Sequence, residues 1–176
     1  MNTPHIMVMG IGSILFRDEG FGIRVVQRLQ ANYDFPDNVS LVDGGVLGVN
    51  LLGVMSEADH LIVADVIRGK GKPGDLYRLE KNQIPDRIRA KNSLHQVDFL
   101  EALTLCQALD KVPETVIVGV EPEDIETLSI ELSPVMESRV LPVMEMILAE
   151  LERLGVTYQK RSEPRVSGDP IENYPH

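Results

Sequence analysis

Four side chains in this sequence have the types and settings for metal-assisted or acid–base chemistry: Glu19, Asp43, Asp65 and His95. Glu19 belongs to 10-GIGSILFRDEGFGIR-24, a glycine-punctuated turn between an apolar run and a helix-like segment. Asp43 closes the apolar stretch 39-VSLVD-43, Asp65 comes near the end of 60-HLIVADVI-67, and His95 lies in 92-NSLHQ-96 near the start of a helical pattern. Glutamate, aspartate and histidine gathered at one edge offer two oxygen ligands and one imidazole nitrogen, a mixed set suited to a divalent transition metal. Their spacing matches no local motif of the HExxH kind, so only the fold can unite them. Each also has a plainer use: an aspartate ending a strand caps a neighbouring loop, and a single histidine packs into one.

The opening stretch invites a second chemistry. Gly10 and Gly12 follow a strand-like run as they would in a phosphate cradle, but Leu15 stands where the third glycine of GxGxxG would be, and the lysine and hydroxyl of a Walker loop are missing. Asp18 and Glu19 would put negative charge beside the phosphate that exposed helix amides attract. The nucleotide-dependent enzyme is therefore the weaker reading, and no nucleotide or organic cofactor is expected. Asp18 suits the entrance of the following helix, where it would cap orphan amides at the positive end of the dipole. Glu19 is one position further in, and its longer arm can reach over the carboxyl edge of a sheet, where open α/β folds keep their sites. A serine triad is not recognisable, because Ser13 has no GxSxG elbow around it. Cys106, the only cysteine, sits in 99-FLEALTLCQAL-109 and reads as a small buried helix residue. His5, His60 and His176 fall at strand starts or in the C-terminal tail, where capping or exposure explains them.

Positioning such groups requires a sheet and helices, and the pattern supplies both. The run 6-IMVMGI-11 is a buried first strand, and Phe21, Val25 and Leu29 fall at helical spacing on a helix expected from Glu19 to Tyr33. Residues 39–43 form a second strand, 48–57 a helix, 60–67 a third strand and 75–80 a more exposed one. A polar loop over 81–93, a helix over 94–109, a strand over 115–121 and an amphipathic helix over 134–154 complete the series, with Pro142 kinking the last helix or marking its start. This alternation predicts an α/β class, a single three-layer α/β/α domain with a mainly parallel central sheet. The domain is expected over residues 1–156, and 157–176, with three prolines and little apolar content, reads as a flexible tail.

Composition narrows the function classes. The chain has 176 residues and a net charge of -10, so a nonspecific hold on a nucleic-acid backbone has no electrostatic basis. The one basic cluster, 68-RGKGK-72, reads as a solvated loop. No apolar run reaches the roughly 18–20 residues of a membrane span, and the first block lacks a secretory pattern. A cytoplasmic protein with no direct membrane insertion is expected.

In its ordered motifs the sequence resembles the hydrogenase maturation endopeptidases, which process the large subunit of nickel-iron hydrogenases. The resemblance spans about residues 5–155 and is carried by 10-GIGSILFRDEGFGIR-24, 43-DGG-45, 59-DHLIVADVI-67, 94-LHQ-96 and 118-VGVEP-122. It implies that Glu19, Asp65 and His95 are ligands of a nickel-recognition site, and that Asp43 shapes the site or assists proteolysis. Ser13 stands where the family usually has asparagine, a change that keeps a hydrogen-bonding group in the turn. The implied activity is a nickel-dependent endopeptidase that removes the C-terminal extension of a nickel-loaded large-subunit precursor. Nickel would arrive with that substrate, and water would be the nucleophile, aligned by Glu19 or Asp43. The same groups would equally serve a noncatalytic nickel-recognising assembly factor, the alternative to be separated by experiment.

Overall fold

The computed structural model describes residues 2–47, 51–81, 83–84 and 112–166. The predicted helix over 94–109, with His95 and Cys106, lies outside the described residues, as do most of the predicted loop over 81–93 and residues 167–176.

The predicted α/β architecture is present. Strands β1 (Ile6–Gly10), β3 (Val39–Asp43), β4 (His60–Val66), β5 (Leu76–Glu80) and β6 (Glu114–Val120) form one sheet in the order β3-β1-β4-β6-β5. Neighbours are parallel except β5, which pairs antiparallel with β6 at the edge. Its exposed Leu76 fits a strand covered on fewer sides.

Alternation along β1 explains why helices must lie on both faces. Ile6 and Val8 join one apolar cluster with Phe21, Val25 and Leu29 of helix α1 (Phe21–Asn32). Met7 and Met9 point the other way and join Met55 of α3 (Leu51–Met55), which follows the short α2 (Gly44–Leu47). A strand buried on both faces cannot alternate with polar residues, which is why β1 is an unbroken apolar run.

Helix α4 (Pro134–Arg153) packs beside α1 through Met136, Val140, Ile147 and Leu151. It begins at Pro134, and Pro142 lies inside it rather than at its start. A proline at the first position loses no bond, since that N–H has no intrahelical partner.

Where the sequence suggested a tail from residue 157, residues 157–166 fold back onto the domain. Strand β7 (Gln159–Lys160) pairs with the two-residue β2 (Tyr33–Asp34), and Tyr158 meets Tyr33 edge to face, ring centroids 5.5 Å apart. Arg161 and Arg165 donate backbone hydrogen bonds to Asn32 and Ala31 at the end of α1. A polar sequence can dock when its backbone groups and aromatic rings find partners, and hydropathy does not report this.

Candidate metal-recognition site

The strand order makes β1 the switch point, with its successor β3 on one side and β4 on the other. In open α/β sheets the crevice at such a point, beyond the carboxyl ends of the strands, is where ligands bind. Asp43 and Asp65 come from the two strands flanking β1. The register pairs Gly10 with Asp43 on one side and Ala64 on the other, so the two aspartates stand at nearly one level. Two strand spacings put them about 10 Å apart along the sheet.

The turn that carries Glu19 is pressed onto this edge by glycines. Gly12 has φ +138°, which L side chains rarely adopt, and a Cβ there would overlap the carbonyl oxygen of Glu19. A Cβ on Gly22 would overlap Ala64 O, at the end of β4. These glycines let the chain pack closely on its own backbone and hold the segment bearing Glu19 against the turn.

Residues Arg17–Gly20 form a short 3-10 helix ahead of α1, so the helix expected from Glu19 begins as an α-helix only at Phe21. Arg17 has φ +32°, a conformation that costs a non-glycine residue about 1 kcal/mol. Asp65 is buried, and its Oδ1 accepts the Val66 N–H at 2.8 Å. Asp43 is partly buried and its Oδ1 accepts the Gly45 N–H at 3.0 Å. Glu19 is also partly buried. The structure thus places Asp43 and Asp65 toward the carboxyl ends of the two strands flanking β1, and Glu19 in the 3-10 helix that follows β1. Among the described residues no group of three or more His, Cys, Asp and Glu side chains stands ready to hold a metal. His95, the nitrogen donor of the expected set, lies outside the described residues.

Asp18 departs from its expected role. It makes no cap for α1. Its fully buried carboxylate instead accepts four hydrogen bonds from the far end of the chain: Ser133 N at 2.8 Å, Ser133 Oγ at 2.9 Å, Asp124 N at 2.8 Å and Glu123 N at 3.1 Å. Ser133 is the N-cap residue of α4, so Asp18 puts its negative charge at the start of that helix, 115 residues away. The neighbouring backbone continues the seam: Asp18 N donates to Asp124 O, Arg17 N to Ser129 O, and Ser129 N to Leu15 O. The turn that bears Glu19 is therefore stitched to loop 121–133.

Glu121, which the sequence reading does not single out, directly follows the apolar strand β6. It is buried, and its Oε2 accepts Gly69 N and Tyr77 OH, both at 2.7 Å. Burial, and then Glu121, push the Tyr77 hydroxyl above its ordinary pKa. These bonds fix the 68–74 loop just beyond Asp65.

The hydrogenase maturation protease family matches residues 23–150 of the chain. The chain is 37% identical over 167 residues to the hydrogenase expression/formation protein HupD of Thiocapsa roseopersicina, covering 94% of this chain and 76% of that one. It is 38% identical over 154 residues to the hydrogenase 2 maturation protease of Escherichia coli, covering 86% and 93%. Among solved structures it is similar to the hydrogenase maturating endopeptidase HybD from E. coli, with TM-score 0.85 and 38% identity, over 90% of this chain and 98% of that one.

Proposed function

We propose, from the premise that this chain belongs to the hydrogenase maturation protease family, that it is an endopeptidase that removes the C-terminal extension of a nickel-loaded [NiFe] hydrogenase large-subunit precursor. The observation that supports this reading is a placement: Asp43 and Asp65 lie on the strands flanking β1, and Glu19 on the turn that follows β1. Glu19 and Asp65 supply oxygen donors suited to a divalent cation, and His95 would add the nitrogen. Nickel is cargo of the substrate in this reading, so the enzyme examines a metal that the precursor presents.

In that role Glu19 and Asp65 hold the loaded precursor with its scissile peptide against the edge. A carboxylate within reach of the bound peptide, Glu19 or Asp43, aligns a water for attack on the carbonyl, takes its proton, and returns it to the amine nitrogen as the C–N bond breaks. Water is favoured as nucleophile because the sequence offers no serine elbow, and its sole cysteine falls in an apolar helical pattern. Anionic side chains on a turn fixed by the Asp18 bonds need little reordering on encounter, which favours both recognition and alignment.

The deciding experiment incubates the purified protein with nickel-loaded and nickel-free precursor and follows intact mass. A shorter large subunit formed only from the loaded form is expected. Stable association with unchanged mass would replace the protease with a noncatalytic assembly factor.

A further inference from the structure

Next to Glu19 the molecule displays five large apolar side chains to solvent. Ile14, Leu15 and Phe16 stand on the turn before Glu19, and Leu128 and Ile130 on loop 121–133, with Leu128 74% and Ile130 63% exposed. The two segments are joined by a parallel bridge between Phe16 and Ser129 and by the hydrogen bonds from Arg17 N to Ser129 O and from Ser129 N to Leu15 O. Residues 13–16 and 127–130 carry no charge in a chain whose net charge is -10. The side chains gain little burial here, yet they are held on a braced scaffold that includes Arg17 at positive φ and the buried carboxylate of Asp18.

The geometry points to this patch as the docking surface for the hydrogenase large-subunit precursor, seating an apolar segment of that protein beside the nickel it offers to Glu19. The inference rests on the reading of the site given above and names the surface that would hold the substrate. Charge complementarity sets the pairing: the partner must bring a cation to the carboxylate edge and an apolar segment to the patch, whose Ile130 rim adjoins Arg24, Arg28, Glu131 and Glu137. The size of the patch also selects among occupants. It exposes on the order of 500 Å² of side chain, within the range of functional patches on monomers. A lasting dimer needs about 800 Å² per partner, so a second copy of this chain is poorly served by the patch alone. A substrate that adds contacts at Glu19 and leaves after one cleavage fits a surface of this size. Preformed apolar anchors near the centre of an interface, with the cation site at their edge, would carry much of the binding.

The test uses the combined substitution Leu15→Ser and Leu128→Ser, with Leu128→Ser alone as a second variant should the first fail to fold. Dissociation constants for the nickel-loaded precursor are measured by surface plasmon resonance, KM and kcat by cleavage, and self-association by sedimentation. The expected result is a Kd and KM raised at least tenfold with kcat within twofold of the parent. Unchanged Kd and KM in a folded variant would overturn the proposal, as would a parent dimer that the substitution dissolves. A parent that binds loaded precursor without shortening it would remove the protease reading, while a tenfold loss of binding in the variant would still support the docking surface. A parent that neither binds nor cuts a verified loaded precursor would overturn both.

Discussion

Asp18 and Ser133 are joined twice: the Ser133 N–H donates to Asp18 Oδ1 at 2.8 Å and its hydroxyl to Oδ2 at 2.9 Å, both fully buried. With the Glu123 and Asp124 amides on the same carboxylate, one residue of the first turn fixes loop 121–133 and the start of α4. A buried carboxylate is tolerable only when hydrogen-bond donors surround it, and here backbone amides and one hydroxyl supply them.

Asp18→Asn tests this brace. The amide keeps one acceptor oxygen and turns an NH2 toward groups that are themselves donors. Stability should fall by about 3 kcal/mol, the scale for losing hydrogen bonds to a buried charge. Thermal unfolding measures the loss, and hydrogen exchange should show the Glu123, Asp124 and Ser133 amides opening first.

Gly22→Ala should be harmful although the residue lies in a helix, where alanine is normally preferred. The added Cβ meets the backbone oxygen of Ala64, which cannot swing aside as a side chain would. A loss of about 2 kcal/mol is expected for overpacking, with slower precursor processing as the turn bearing Glu19 is displaced. Gly53→Ala, in α3 with nothing within 4 Å of the new carbon, is the control and should be neutral or stabilising by up to about 1 kcal/mol.

Substituting the proposed ligands separates chemistry from folding. Glu19→Gln, Asp65→Asn and His95→Ala should each lower nickel-dependent cleavage by about 100-fold or more, since each loses a donor that is worth several kcal/mol at a metal-assisted step. Their unfolding temperatures should stay close to that of the parent. Asp43→Asn should lower kcat more than it raises KM if Asp43 aligns water, and steady-state kinetics on loaded precursor reads that split. Normal cleavage by all three folded ligand variants would end their assignment.

Acid should weaken the fold through two carboxylates. Glu150 is lowered from its ordinary 4.5, first by the hydrogen bond from Arg78 and then by the charges of Arg78 and Arg153. Asp124 is lowered from 3.8 to about 2 by the Thr127 hydroxyl and by the Thr127 and Glu126 amides. A carboxylate depressed on folding stabilises above its unfolded pKa, and that support is lost as pH falls through the folded value. Denaturant midpoints should therefore decline below about pH 4.5, the unfolded value for Glu150, and the Asp124 share is lost between 3.8 and about 2. Thr127→Val should raise the Asp124 pKa toward 3.8, read by NMR titration of its carboxyl carbon.

The sequence by itself determined the layered α/β architecture. Unbroken runs such as 6-IMVMG-10 can be buried on both faces only inside a sheet covered by helices, and the period-3.6 stripe of Phe21, Val25 and Leu29 names the face that covers one of them. It also marked Asp43 and Asp65 as groups toward the carboxyl ends of strands, because a strand's end is legible from its apolar run. Local patterns do not carry strand order or long-range partners. Only the tertiary structure set β1 between β3 and β4, made Gly12 and Gly22 points of backbone contact, and docked residues 157–166 against Tyr33 and the end of α1. It also moved Asp18 from the start of its own helix to the start of α4. A carboxylate beside a helix signals capping locally, but which helix it serves depends on which amides lack partners once the chain has closed on itself, a property of contacts 115 residues apart.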